Sequence, residues 1–323
     1  MSASASSALP APEITVVVPV LEGDADVRAV VGALGGELDR LGRTWEALLV
    51  YDGVTGRAWE TGLALQASTE QRVRTIALHK PFGEAVCLTS AFEHALGQVF
   101  LTSPDYVQVD PRALGALLER LDDGADLVVS WRSPRVDAKL NRAQSAAFNW
   151  TLRKLVGAPL HDLNCTLRLL RREVLEQLAV YGNMYRYLPV VAQNQGFRVD
   201  EVQVRHLAEQ GVSGFFGPGV YLRRALDVLA VVFLTKFTHK PLRFFGTIGG
   251  AGILFGGTLA LVELVRRFAV ETPESLYQRP LFLLGVLVLV LGVQLIGFGL
   301  VGEVIIFTQA RNLREYRVDR VHQ

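Results

Sequence analysis

From Ile14 onward, short apolar runs rich in β-branched residues alternate with segments long enough for a crossover helix. The runs are Ile14–Val20, Glu46–Asp52, Val73–Leu78, Gln98–Thr102 and Asp126–Trp131, and Val27–Leu41 carries a helical repeat between the first two. Strand and helix units at this spacing predict an α/β domain with a mainly parallel sheet and helices on both faces, over residues 14 to about 205. Ligands of such sheets bind beyond the carboxyl ends of the strands. The chemistry is therefore sought in Val20–Asp24, Tyr51–Thr55, His79–Gly83, Ser103–Asp110 and Arg132–Asp137.

The pattern changes in the last quarter. Phe244–Leu264 contains a single charge, Glu263, and Leu281–Phe307 contains only Glu303. Each run exceeds the roughly 20 apolar residues needed to cross about 30 Å of hydrocarbon, and neither has the polar stripe of a soluble core helix. They predict a two-helix transmembrane hairpin over 244–307. Gly246 and Gly250, Gly252 and Gly256, and the seven-residue row Gly285, Gly292, Gly299 allow close helix approach within the hairpin or against another subunit in a homo-oligomer. Ahead of it, Leu222, Leu226, Leu229, Val232, Phe233 and Phe237 form one helical stripe. Residues 211–243 therefore read as a juxtamembrane interfacial helix, the alternative being an ordinary core-facing helix.

Charge sets the orientation. The flanks carry Arg223, Arg224, Lys236, Lys240 and Arg243 before the hairpin and Arg311, Arg314, Arg317 and Arg320 after it, against Arg266, Arg267 and Arg279 in the connection. The positive-inside rule puts both flanks, the N-terminal domain and the 308–323 tail in the cytoplasm, with the protein in the inner (cytoplasmic) membrane. Residues 1–13 are small and polar without an apolar core, so they predict a disordered tail, not a signal peptide. With 33 basic and 32 acidic residues the formal net charge is +1, which gives no electrostatic reason for a nucleic-acid partner. Cys87 and Cys165 make neither a disulfide framework nor a zinc site. Cys87 and His94 are expected to pack in the helix after Phe82.

The residues at the strand tips carry a resemblance. ITVVVPV, the YDG tip, KPFGEA, QVDP, SWRSPRVD, PLHDLNCTLRLLRREVL, YGNMYRYLPVVA, FRVDEVQVRH, GVSGFFG and GLVGEVIIFTQ follow one another in an order and spacing similar to family 2 glycosyltransferases. The similarity is to the polyprenyl-phosphate branch that includes dolichol-phosphate mannose synthases and bactoprenol glucosyltransferases. It implies a nucleotide-sugar-binding, Rossmann-like (GT-A) domain over 14–210, a nucleotide-sugar donor, a polyprenyl-phosphate acceptor drawn from membrane lipid, and Mg2+ or Mn2+. Such a metal ion, held by carboxylates, neutralises the departing diphosphate. The resemblance further implies a catalytic Asp162 near the sugar. Pro19, Asp52, Lys80, Asp105, Asp110 and Arg186, with Tyr185 beside it, would meet the donor, Arg132, Arg135 and Ser213 would meet the acceptor, and Asp105 would be a weak metal ligand. Turn or N-cap duty for Asp162 and a solvated surface for Arg132 and Arg135 are the structural alternatives. Arg168, Arg171 and Arg172 read as a helix-start cluster.

Several positions depart from the family pattern. The Asp-x-Asp motif is Pro104-Asp105-Tyr106, with both ligand positions replaced. Asp-Asp-Gly-Ser is Tyr51-Asp52-Gly53-Val54, and Tyr-Asn-Glu is Leu21-Glu22-Gly23. Arg-Asn-x-Gly is Lys80-Pro81-Phe82-Gly83, and the acceptor loop, residues 208–214, keeps Gly211 and Ser213 without either cation. These contacts neutralise separate charges. Two functions follow: sugar transfer to polyprenyl phosphate, or a catalytically silent family member acting as a membrane-docked binding or scaffold partner. A processive polysaccharide synthase fits less well, since two spans leave little protein for a channel.

Overall fold

The computed structural model describes residues 11–69, 72–134, 160–163, 165–178, 182–207, 219, 226, 229, 241–269 and 278–309. The chain divides into two compact units, Met1–Val231 and Val232–Gln323. In the first, the order is β1 (Ile14–Val20), α1 (Val27–Arg40), β2 (Trp45–Tyr51), α2 (Arg57–Ser68), β3 (Val73–Ala77), α3 (Glu84–His94) and β4 (Val99–Thr102). A 3-10 turn (Pro111–Ala113), α4 (Leu114–Asp122), β5 (Leu127–Arg132), β6 (Arg168–Arg171) and α5 (Arg172–Gln177) follow, then a 3-10 segment (Gly182–Tyr187), α6 (Leu188–Asn194) and β7 (Val199–Val204).

The seven strands form one sheet in the order β3-β2-β1-β4-β6-β5-β7. All pairings are parallel except those of β6, which runs antiparallel to β4 and β5. All seven residues of the central strand β1 are buried, as expected for a strand covered on both faces. α1 begins where the Ala29 N–H donates to the Asp26 carboxylate (3.1 Å), and it buries Val27, Val30, Val31, Leu34 and Leu38 against the sheet. Leu114, Leu117, Leu118 and Leu121 of α4 complete this layer.

The parallel strands place the ends of β1 to β5 along one edge. Because β6 runs the other way, its first residue, Arg168, pairs with Thr102, the last residue of β4. The segments leading into β6 and out of β4 therefore meet at that edge. The helix-start reading is corrected for Arg168, which opens β6, whereas Arg171 ends that strand as the N-cap of α5 and Arg172 is the first residue of the helix.

The second unit contains α7 (Pro241–Ala269) and α8 (Pro280–Gln309), both long and apolar enough to cross a membrane. Large apolar side chains cover their outer surface, with Phe268 81% and Phe307 80% exposed, which suits hydrocarbon. The helices pack antiparallel. An added Cβ on Gly249 would meet the Gly292 carbonyl oxygen at 2.6 Å, and one on Gly256 the Gly285 carbonyl oxygen at 2.5 Å. The heptad row Gly285, Gly292, Gly299 faces α7 as expected. On α7 the contact row is Gly249, Gly252 and Gly256, whereas Gly246 and Gly250 face away from α8. Buried Glu263 accepts from Arg266 and Arg279, both at 3.3 Å, tying the connection end of the hairpin. The interfacial stripe is described only at Leu226 and Leu229, both exposed; its other residues, the 1–10 stretch and the 311–323 tail lie outside the described residues.

Candidate functional site

Two carboxylates knit the strand tips together. The Leu21 N–H donates to Asp105 Oδ2 (3.1 Å), joining the ends of β1 and β4, and the Glu22 amide also reaches this carboxylate. The Phe82 and Gly83 N–H groups donate to Asp52 Oδ1 and Oδ2 (2.6 and 2.8 Å), so Asp52 ties down the loop that leads into α3. Gly53 sits at φ +67°, and a Cβ there would lie 2.5 Å from the Lys80 carbonyl carbon, so only glycine lets this loop approach. Burial raises the Asp105 carboxyl above its usual range, against the opposing pull of the Leu21 and Glu22 amides.

On the other side of the edge lies a buried ion pair. Arg132, the last residue of β5, donates through Nε to Asp162 Oδ2 (2.7 Å) and through Nη2 to Oδ1 (3.2 Å). The two side chains are 1% and 2% exposed. Glu201 of β7 anchors the segment carrying Asp162: its Oε1 accepts the His161 and Asp162 N–H groups, and its Oε2 meets His161 Nδ1 at 2.7 Å. The His161 ring stacks on Trp131, with centroids 4.3 Å apart.

Arg168 links the pair to a third segment. Fully buried, it donates to the carbonyls of Cys165, Leu163, Tyr185 and Arg186, and its guanidinium lies 4.9 Å from the Tyr185 ring centroid. Tyr185 donates its hydroxyl to Thr102 Oγ1 (2.7 Å). Four carbonyls around one guanidinium make a buried cation tolerable without a carboxylate. They also fix the backbone that presents exposed Arg186. Glu84, the first residue of α3, lies in the field of Arg168, Arg186 and Asp105; burial raises its carboxyl and the two arginines oppose that shift.

Most of the expected site residues converge on this edge. Asp52, Lys80, Asp105, Arg132, Asp162 and Arg186 all lie at or beyond the strand ends. Pro19 is buried within β1 opposite Val50, past the four β1 residues that pair with β4, so its missing N–H costs no bond to that strand. Asp110 accepts from the Arg112 N–H (3.1 Å) as the cap of the 3-10 turn, and Lys80 Nζ lies 5.3 Å from the Phe82 ring centroid. Arg135 and Ser213 lie outside the described residues. Arg132 and Asp162, expected in separate acceptor and sugar roles, form one pair. The solvated-surface alternative for Arg132 does not hold, because the side chain is buried and spends two donors on Asp162. Tyr185 is a buried support. Cys87 is buried, with its thiol pushed up to about 12 by burial and by the charges of Asp52 and Glu84. His94, expected to pack, is exposed and donates from Nδ1 to the Ser90 carbonyl at 2.8 Å. Glu84 and Glu201 escaped the sequence reading. An acid directly after the α3 glycine and one amid the alternation of Val199–Val204 were the only signals.

The model of the family described as glycosyl transferase family 2 matches residues 15–179. The chain belongs to that family. A dodecaprenyl-phosphate galacturonate synthase of Rhizobium johnstonii is 28% identical to this family 2 chain over 309 residues, covering 93% of this chain and 89% of the relative. An undecaprenyl-phosphate 4-deoxy-4-formamido-L-arabinose transferase of Salmonella enteritidis is 26% identical over 316 residues, 97% and 95% of the two chains. Among solved structures, glucosyl-3-phosphoglycerate synthase from Mycobacterium tuberculosis, in complex with Mn2+, UDP-glucose and phosphoglyceric acid, shares the fold. Its TM-score is 0.52 at 17% identity, covering 69% of this chain and 79% of that one.

The family 2 fold raises the question of a divalent ion, and the residues at the β4 tip do not fit one. Both Asp52 oxygens accept backbone N–H groups, Asp105 is turned to the amides after β1, and Tyr106 accepts from Gln108 Nε2 (2.7 Å). Among the described residues no three His, Cys, Asp or Glu side chains are grouped to hold a metal ion. The expected metal role of Asp105 is corrected accordingly: buried and amide-bound, its carboxylate is a poor ligand for a hard cation.

Asp105→Asn tests this assignment. A carboxyl whose folded-state pKa is raised subtracts stability once pH exceeds that value, and the penalty fades as pH falls toward its usual 3.8. The amide oxygen of asparagine can still accept the Leu21 N–H. The variant is expected to melt at or above the wild-type temperature at pH 7, with the difference shrinking in acid, as followed by thermal denaturation across pH.

Proposed function

We propose that this chain transfers a sugar from a nucleotide-sugar donor to polyprenyl phosphate at the cytoplasmic leaflet of the inner membrane. Residues 14–210 are the catalytic domain and 244–307 the membrane hairpin. The observation that carries the reading is the reach of the similarity: both polyprenyl-phosphate transferases match over more than nine-tenths of this chain, the two apolar helices included. The excess of Lys and Arg on the outer flanks supports a cytoplasmic domain.

In the reaction an acceptor phosphate oxygen forms a bond to the anomeric carbon. The bond from that carbon to the donor diphosphate breaks, and its electron pair leaves on the diphosphate oxygen. The products are a sugar-phosphoryl-polyprenol and a nucleoside diphosphate. A phosphate monoester has its second pKa near about 6, so the attacking oxygen is already ionised around neutral pH. Asp162 is accordingly assigned orientation and charge, together with Arg132, in place of proton removal. Asp52 and Asp105 hold the tips that frame the donor, and Lys80 and Arg186 supply cations at its rim.

Incubation of the detergent-purified full chain with undecaprenyl phosphate and a panel of labelled nucleotide sugars tests the proposal. Label is expected to move into the lipid fraction with at least one donor. Absence of lipid-linked label across the panel, with a related enzyme active in the same mixture, refutes it and favours a binding or scaffold role.

A further inference from the structure

The nucleotide diphosphate that leaves in the proposed reaction carries negative charge that something at the strand edge must neutralise. A divalent ion beside a diphosphate is held by one or two protein carboxylates aimed at it, with the phosphates and water as its other ligands. Here the carboxylates are aimed elsewhere: Asp52 at Phe82 and Gly83, Asp105 at Leu21 and Glu22, and Asp110 at Arg112. Pro104 offers no side-chain ligand atom, and its carbonyl accepts from the Ser103 hydroxyl at 3.1 Å.

Arg186 is built as a cation for this position. It is exposed, and among the described residues no carboxylate lies within 4 Å of its guanidinium to absorb its charge. Its backbone is not free to wander. Arg168 Nη1 donates to the Tyr185 carbonyl (2.7 Å) and Nη2 to the Arg186 carbonyl (3.1 Å), while the same guanidinium holds Leu163 and Cys165 (2.8 and 3.0 Å). Tyr185 is further pinned to Thr102, the last residue of β4. The segment bearing Arg186 is thus fastened to the strand end beside which Asp105 fails as a ligand. A guanidinium offers paired donors that match phosphate oxygens, on an approach that is already ordered.

We propose that this chain neutralises the diphosphate of its donor with the Arg186 guanidinium, positioned by Arg168, and uses no divalent ion at the β4 tip. The inference rests on the proposed sugar transfer, because it needs a nucleotide-diphosphate donor.

The test is calorimetric titration of the full-length protein in detergent with uridine, guanosine and thymidine diphosphates, once with EDTA and once with excess Mn2+. Bound Mn2+ is counted in parallel by electron paramagnetic resonance. For the diphosphate that binds, EDTA is expected to change Kd by less than about threefold, and Arg186→Ala to weaken it by about tenfold or more, with Arg186→Lys between the two. No stoichiometric Mn2+ should accompany the nucleotide. Binding that requires Mn2+, or a bound Mn2+ that Asp105→Asn removes, overturns the inference and leaves the transferase reading standing. An Arg186→Ala variant with wild-type Kd also overturns it. If no diphosphate binds in either arm, the transferase reading and this inference fall together.

Discussion

Asp162→Asn is expected to lower sugar transfer by about 100-fold or more, because it removes a fixed charge from the site while leaving an oxygen to accept from Arg132. Asp162→Ala adds a second effect. It takes the carboxylate away from a guanidinium that is 1% exposed, and breaking a buried pair from one side costs about 3–5 kcal/mol. Chemical denaturation of the full chain in detergent, followed by tryptophan fluorescence, reads the stability arm. The double change Arg132→Met with Asp162→Leu separates the two roles. Apolar replacement of a whole buried pair is often neutral for stability, so the double variant is expected to recover most of the stability that Asp162→Ala loses and none of the transfer. Recovery of both would make the pair a structural element only, and the charge at the sugar would have to come from elsewhere.

The pair also shows what the sequence could and could not reveal. Arg132 and Asp162 are 30 residues apart, and each was recognisable as a candidate. Their union depends on β6 inserting antiparallel between β4 and β5, which brings the residues ahead of it back to the end of β5. Nothing local marks that strand. Arg168–Arg171 is four residues with an arginine at each end, and it reads as a polar helix start until four carbonyls, two just ahead of it and two at Tyr185 and Arg186, are seen to absorb the first arginine. The five preceding strands were legible to within a residue at each end because buried parallel strands need continuous apolar runs, and such a need is written locally.

The acids of the donor side differ in kind. That Asp105 stood alone between Pro104 and Tyr106 was visible in the sequence, and it made a metal site weak. That the carboxylate would turn to the Leu21 amide, 84 residues away, was not, since a backbone N–H carries no sequence signature. The same holds for Asp52 and the amides of Phe82 and Gly83. Periodicity placed these residues at the strand tips; only the fold shows that they spend their charge holding the tips together.

The second large effect is expected in the hairpin, at Gly256. A Cβ there falls 2.5 Å from the Gly285 carbonyl oxygen and 2.6 Å from the Leu289 nitrogen, both backbone atoms that no rotamer change can move. Lipid tails are as apolar as the helices they surround, so close backbone contact, not expulsion of water, holds two spans together. Gly256→Leu therefore forces the helices apart and is expected to cost about 2–3 kcal/mol, the upper end for overpacking. Gly250 supplies the control. It lies on the same helix with nothing within 4 Å of an added Cβ. Gly250→Ala should be neutral or slightly stabilising, because alanine favours helix by about 1 kcal/mol over glycine. Thermal aggregation of the detergent-solubilised chain, measured by fluorescence-detected size exclusion after heating, ranks the variants. Equal midpoints for the two substitutions would mean that α7 and α8 do not meet along Gly249, Gly252 and Gly256. The Glu263 contacts to Arg266 and Arg279 would then have to hold the hairpin from its connection end alone.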